Sequence, residues 1–400
     1  MAEPPLLPLV EPFSGERFAA SAALSARIAP PYDVIAGATR EELVARDPYN
    51  IVQLILPVGN TDRYAKAAKT LATWRSKEIL VRDPEPAVYV VQQEFPLPDE
   101  TLRVRTGVIG ALLAEPYACG RVKPHEHTHA EPKADRLALT RALHATFEAI
   151  FLLARDGHGH LRRRLDGVTR HKPHAVADLD GVTVGLWRVG GVQGREIARA
   201  ASEGSLYIAD GHHRFETAIA YHAENPSADR LPALIVPADD PGIVALPTHR
   251  VIRGKPVDWD HVLDQWRADF TVTEGALPED LGALPAGGPQ EMVCTVVRPG
   301  GRQVTLRRAR ADGAEPVPDI AVIERDVVTP LAAGRELAYT PSAAAAVAAV
   351  GSDAAAAVLV RGTPVTMMMA VADAGGVMPP KSTYFSPKVP SGLVGMAYAD

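Results

Sequence analysis

The sequence predicts a mixed α+β protein with more than one sheet region. Three observations carry that reading. Short β-rich runs alternate with amphipathic helical stretches. The regular strand–helix–strand spacing of a doubly wound domain is absent. The texture changes after residue 240, where Pro and Gly become frequent. Two lobes are therefore expected: a core lobe over 1–240, and a second α+β lobe over 241–400 whose C-terminal loop (378–390) returns to the site.

The elements follow in order. Residues 50–56 (NIVQLIL) and 87–95 have strand composition, and 62–79 places Tyr64, Ala67, Leu71 and Trp74 at mostly helical spacing. Residues 102–114 open with alternation and read as a strand, and Pro84, Pro86, Pro96 and Pro98 punctuate the strand ends. A polar loop over 115–135 leads to a helix at 136–145 and a strand at 148–154. Asp156-Gly157-His158-Gly159-His160 reads as a hairpin turn. A strand is expected at 182–189, a helix at 193–203, a short apolar strand at 206–209 and a helix from about Phe215 to Ala223. Residues 274–290 read as a connector, 291–298 and 303–308 as a hairpin, and 377–395 as an extended loop, too rich in proline for a helix.

Composition narrows the function. Of the 400 residues, 46% are hydrophobic and 22% charged, as in an ordinary globular protein. The net charge of −6 argues against general binding to a nucleic-acid backbone. Two cysteines, Cys119 and Cys294, exclude a disulfide framework and a multi-cysteine zinc site. The N-terminus carries no secretory pattern. The Ala-rich run from Glu336 to Asp353 is too short to span a bilayer and is broken by Pro341. A cytoplasmic protein without membrane or nucleic-acid partners is expected; oligomeric state is not legible.

Four segments could carry chemistry. In 206–221, LYIADGHHRFETAIAY, an apolar strand meets an Asp-Gly turn and a helix. Unpaired N–H groups and the positive end of the dipole make such a helix start an anion site. Gly211 lets the backbone approach a ligand, Arg214 offers a planar fork to phosphate, and His212 and His213 can donate hydrogen bonds or move protons. The plainer alternative is a helix capped by Asp210. The stretch KPHEHTHAEPKADR at 123–136 holds His125, Glu126, His127, His129 and Arg136. Histidines alternating along an extended strand would share one side, binding a metal or a phosphate, or the segment is a polar surface loop. Lys381, Ser382, Thr383 and Lys388 lie on a proline-fixed loop that could clamp phosphates, or form a basic surface tail; no Walker-type loop precedes them. Ala-Pro-Pro-Tyr-Asp-Val-Ile at 29–35, with Asp33, and Leu-Pro-Thr-His-Arg at 246–250 read first as structural turns.

Taken together, the segments at 29–35, 125–136, 209–218, 246–250 and 378–385 resemble a family of bacterial and archaeal proteins known only as a domain of unknown function, family 1015. The resemblance runs over nearly the whole chain. A remoter one covers about twenty residues: the Asp-Gly-His-His-Arg turn is similar to the phosphate-binding motif of the ParB/sulfiredoxin class, which includes free-serine kinases. It implies a ParB/sulfiredoxin-like strand–turn–helix core, with Gly211, His212, His213 and Arg214 against nucleotide phosphates. The implied function is phosphoryl transfer from ATP or ADP, with Mg²⁺, to the hydroxyl of free serine or a similar small metabolite. On that reading Gly211, His212, His213, Arg214, Lys381, Ser382, Thr383 and Lys388 hold the phosphates. His212 and His213 stabilise developing charge. Asp210 or Glu126 binds the metal or orients the hydroxyl, and His125, His127, Arg136 and Asp33 contact substrate. The alternatives are a nucleotide-binding regulator without turnover and a metal-dependent hydrolase built on the 125–131 histidines. Sulfiredoxin chemistry is disfavoured because neither cysteine lies in the 210–214 turn.

Overall fold

The computed structural model describes residues 7–19, 23–97, 100–128, 130–285, 287–288, 290–310 and 317–399. The chain forms two units. The first comprises Met1–Pro124, Thr128–Ile243 and Pro387–Asp400; the second comprises His125–His127 and Val244–Ser386. The mixed α+β expectation is realised in both.

The first unit is built on a nine-stranded mixed sheet. Its strands in chain order are β1 (Val10–Glu11), β2 (Ala87–Pro96), β3 (Leu102–Leu113), β4 (Val122–Lys123), β5 (Ile150–Ala154), β6 (Ala175–Leu179), β7 (Val182–Gly190), β8 (Leu206–Asp210) and β9 (Arg230–Pro237). They lie in the order β4-β8-β5-β9-β3-β2-β7-β6, with β1 added to β3. The pairs β8–β4 and β9–β5 are parallel and the remainder antiparallel. The helices that serve the argument are α1 (Arg63–Ser76), α2 (Ala130–Leu143), α3 (His160–Thr169), α4 (Gly191–Ala201) and α5 (His212–Glu224). One cluster joins Ile150, Leu152, Ile208, Phe215, Ile197 and Leu161, so the sheet and the inner faces of α3, α4 and α5 share a core. Central strands read as continuous apolar runs because both of their faces are covered.

The second unit carries a six-stranded sheet with strands β10 (His249–Arg253), β11 (Thr271–Ala276), β12 (Glu291–Arg298), β13 (Arg302–Ala309), β14 (Glu336–Thr340) and β15 (Ala354–Leu359). The order is β11-β13-β12-β15-β10-β14. The expected hairpin around Pro299-Gly300-Gly301 is β12–β13. Start of the connector, Glu274 to Ala276, is strand rather than loop, because it pairs with β13. The Ala-rich run divides into β14 and a helix over Ala343–Val350. No helix among the described residues is long and apolar enough to cross a membrane.

Local predictions failed where side-chain hydrogen bonds overrode propensity. Residues 50–56 are not a strand: Val52–Ile55 is a helical turn. Asn50 sets it, its Oδ1 accepting the Val52 N–H at 3.0 Å while its amide donates to the carbonyls of Ala26 and Ile28. Residues 156–160 are not a hairpin turn but the entry to α3, because Asp156 accepts the Arg162 N–H at 2.9 Å. Helix α5 begins at His212, three residues before the expected Phe215. Helix α2 begins at Ala130, before the expected 136, with Pro132 tolerated in its first turn. Pro98 and His129 lie outside the described residues.

Close packing in the central sheet is testable. A Cβ on Gly107 of β3 would lie 2.8 Å from the Ile235 carbonyl oxygen of the neighbouring strand. Gly107→Ala is expected to cost about 1–3 kcal/mol by overpacking. Gly157→Ala, whose Cβ would meet nothing within 4 Å, should stay within about 0.5 kcal/mol. Urea unfolding of both variants checks the contrast; equal midpoints would refute it.

Candidate functional site

The turn between β8 and α5 brings charged side chains into the first unit's core. Strand β8 is apolar and buried through Ala209, and its pairing with β5 slips by one residue so that Asp210 faces Phe151. Such an irregularity re-aims the last side chain of a strand. Gly211 follows at φ +99°, a left-handed conformation that costs an L side chain dearly. A Cβ there would also meet Ile150 Cγ2 at 2.8 Å. The turn thus requires glycine on two counts. Asp210 does not cap the helix: Gly211 occupies the cap position and no side chain caps α5.

The Asp210 carboxylate instead binds two cations. Arg214, one helical turn on, donates from Nη2 to Oδ2 at 2.6 Å, and Lys388 donates from Nζ to Oδ1. Burial pushes the Asp210 carboxyl up, but Lys388, Arg214 and His212 more than offset this and hold it down at about 2. Arg214 is 9% exposed and points inward. Its Nη1 donates to the Ala149 carbonyl at 2.7 Å, and burial pulls its pKa down less than Asp210, Glu148 and Asp33 raise it.

Behind Arg214 stands a carboxylate that the motif reading missed. Glu148 is buried, accepts the Tyr32 N–H at 3.2 Å and lies 3.5 Å from Arg136 Nη1. Burial raises its pKa against the pull of Arg214 and Arg136. Arg136 is itself buried; it donates to the Ile55 carbonyl at 2.5 Å, pairs with Asp135, and stacks over Tyr32 with its guanidinium carbon 4.0 Å from the ring centre. Asp33 is exposed beside this group, near enough for its charge to act on Arg214, Glu148 and Tyr32. The signal for Glu148 was a lone acid entering the apolar run Ala149–Ala154.

A cavity of about 40 Å³ lined by Arg214, Arg136, Glu148, Thr217 and Tyr398 adjoins the network. That is room for a few waters and no more. The N-terminal end of α5 lies at the same turn. His212 is buried there and His213 half-buried.

The remaining expected residues fall in the second unit. His125 is buried, its Nε2 lies 3.1 Å from Thr383 Oγ1, and its carbonyl accepts the Met378 N–H at 2.8 Å. Glu126 accepts the Lys381 N–H at 3.2 Å, and the buried Ser382 donates to the Pro379 carbonyl at 2.5 Å. Lys381 and His127 are exposed. The His-rich loop and the proline-rich tail, read as separate motifs, are thus joined within the second unit. Residues 125–128 form no strand, so the expected row of histidines on one side does not form: His125 turns inward to Thr383 while His127 faces outward. The Arg250 side chain, fully buried in the segment read as a structural turn, pairs with Glu324 at 3.0 Å and also reaches the Thr248 carbonyl.

The fit to a divalent metal is poor. Each Asp210 oxygen already faces a cation, whose charge disfavours Mg²⁺ beside it. Among the described residues no group of three or more His, Cys, Asp or Glu side chains could hold a metal ion.

Fold and site together define a mixed α+β protein with a strand–glycine–helix turn and an ionised carboxylate held between two cations. The chain belongs to the family of proteins of unknown function DUF1015, whose model matches residues 10–327. No curated protein matches the sequence. Among solved structures, it is similar to a conserved hypothetical protein from Pyrococcus furiosus, at 15% identity and a TM-score of 0.39, covering 74% of this chain and 96% of that one. It is also similar to a free serine kinase in complex with AMP, at 13% identity and a TM-score of 0.40, covering 73% and 91%. SbnI with a C-terminal truncation, from Staphylococcus aureus, gives 11% identity and a TM-score of 0.38, covering 71% and 85%. Likenesses this remote carry no argument about activity.

The clamp predicts an acid-sensitive stability. Because the folded pKa of Asp210 lies below its ordinary 3.8, its contribution is complete above about pH 4 and is lost as the pH falls towards about 2. Thermal unfolding of the wild type should weaken over that window, and Asp210→Asn should flatten this part of the profile. The variant also strands two buried cations, at a cost of about 3–5 kcal/mol near neutrality. Identical acid slopes in the two proteins would exclude the clamp.

Proposed function

We propose that this protein binds a nucleotide at the Gly211 turn and transfers a phosphoryl group to the hydroxyl of a small metabolite, with free serine the favoured acceptor. The observation that carries the proposal is the imbalance of charge at the turn: one ionised carboxylate, Asp210, is shared by two cations, Lys388 and Arg214. The two cations lie at a helix start that no side chain caps, a place that favours a phosphate. The resemblance of the Asp-Gly-His-His-Arg motif to phosphate-binding turns points the same way.

Phosphoryl transfer asks for positioning and charge neutralisation more than for covalent chemistry. The backbone after Gly211, with His212 and His213, would cradle the phosphates, and Lys388 and Arg214 would neutralise them. Asp210 would act by fixing both cations. With its carboxyl held near 2 it is too weak a base to draw a proton from an alcohol. The exposed Asp33 is better suited to orient the acceptor and take its proton. No step is routed through a metal, and Glu126 and Lys381 are given no part in it.

The test is direct. Incubation with ATP or ADP, with and without magnesium, and a pool of hydroxy amino acids should yield a new phosphorylated product by mass spectrometry. Nucleotide binding without product would establish a regulator instead, and neither binding nor product would end the proposal. Asp33→Asn, at an exposed position, should leave nucleotide affinity unchanged while lowering turnover by about 10²–10⁴-fold. Unaltered turnover would remove Asp33 from the reaction.

A further inference from the structure

Arg105 presents an anomaly that the clamp alone does not explain. It projects from β3 into the core and is 1% exposed. Its guanidinium carbon lies 4.6 Å from the centre of the Phe151 ring. Nε and Nη1 are buried without a hydrogen-bond partner. Burial pulls its pKa down to about 10, against the opposing effect of Asp240 and Asp210. Burying a guanidinium so incompletely satisfied is costly, and only the two hydrogen bonds of Nη2 and the nearby carboxylates offset that cost.

What Arg105 does satisfy is specific. Nη2 donates to Gln93 Oε1 at 2.5 Å and to the Pro387 carbonyl at 2.6 Å. Gln93 in turn donates from Nε2 to the Lys388 carbonyl at 3.2 Å. The carbonyls of two successive residues, Pro387 and Lys388, are thus gripped from the two central strands β2 and β3. Directly beyond them the Lys388 ammonium meets Asp210.

We propose that Arg105 and Gln93 are positioning residues that hold the backbone of Pro387 and Lys388 so that the Lys388 ammonium stays on Asp210. This deepens the reading of Lys388 as a phosphate-neutralising cation, and rests on it for its functional meaning. The geometry itself can be tested without nucleotide. A purely structural arginine would be missed as stability when replaced. A positioning arginine would be missed at Lys388.

The experiment is competitive acylation of lysines in the full-length protein, read by peptide mass spectrometry with Lys133 and Lys255 as internal references. In the wild type Lys388 should react slowly, because its ammonium is paired with Asp210. Arg105→Met leaves the acceptors of Gln93 and Pro387 unpaired and should lower the unfolding midpoint; in the folded protein it should raise Lys388 labelling about fivefold, the weight of one lost hydrogen bond. Gln93→Glu keeps an acceptor for Arg105 but loses the donor to the Lys388 carbonyl; it should fold and show a similar rise. Should Arg105→Met fail to fold, Gln93→Glu alone decides. Wild-type labelling at Lys388 in folded Gln93→Glu overturns the inference. Raised labelling with unchanged nucleotide affinity would uphold the positioning role and count against Lys388 as a phosphate ligand, so the two failures are distinguishable.

Discussion

One carboxylate between two cations organises the strand–helix turn. Asp210 is largely removed from water, and ionisation there is tolerable only because Arg214 and Lys388 each take one of its oxygens. Each partner depends on the others. Without Lys388, the carboxyl loses its largest compensation for burial. Without Asp210, Arg214 is an inward-pointing guanidinium left with a carbonyl and the half-compensated Glu148. The order in sequence makes this a constraint on folding as well as on charge. Arg214 is one turn away, but Lys388 is supplied by a segment 178 positions downstream. Completing the turn therefore requires that the C-terminal segment dock on the first unit's sheet.

The docking is built accordingly. Ser391 and Ala29 exchange backbone hydrogen bonds at 2.8 and 3.2 Å, Gly392 donates to the Phe147 carbonyl at 2.8 Å, and Glu16 and Gly395 exchange two more. Met396–Ala397 adds a short strand against Ala145–Thr146. The segment is tied along its length to backbone that flanks Glu148 and β5, and the grip of Arg105 and Gln93 lies just upstream of these ties. Repeated backbone pairing of this kind fixes register, since each carbonyl can satisfy only the donor opposite it. A lysine carried on a free tail could not hold a single geometry against its own rotamer entropy.

Much of this was legible in the sequence, and the illegible part has a common cause. The β8–turn–α5 unit was readable because an apolar run, an Asp-Gly turn and a helical period fall in order. The glycine was readable because the turn leaves no alternative to a left-handed residue. The inward direction of Arg214 was expected of a phosphate-facing turn, but its partners were not readable, because Glu148 and Ala149 lie outside the motif. Glu148, Gln93 and Arg105 were missed because each lies in a β-patterned run, and periodicity reports the face of a strand, not what lies opposite it. The helical turn at Val52–Ile55 was hidden for a related reason. Its β-branched composition suited a strand, and the deciding interactions came from Asn50 reaching carbonyls more than twenty residues away.

The clamp also divides labour in the site. A carboxyl held well below the ordinary range by two cations remains ionised at any physiological pH, which makes it a fixed charge and disqualifies it as a proton acceptor of useful strength. On the proposed reading, proton transfer falls to a group outside the clamp and nearer water. Asp33 meets that description: it is exposed, and close enough for its charge to act on Arg214. Deeper in, Arg105 is buried with Nε and Nη1 unpaired, and what it secures is the backbone that delivers a second cation. The core of the first unit thus holds a set of charges in fixed positions. That is the arrangement a charge-stabilised transfer reaction needs, because donors already in place require no reorganisation when charge develops.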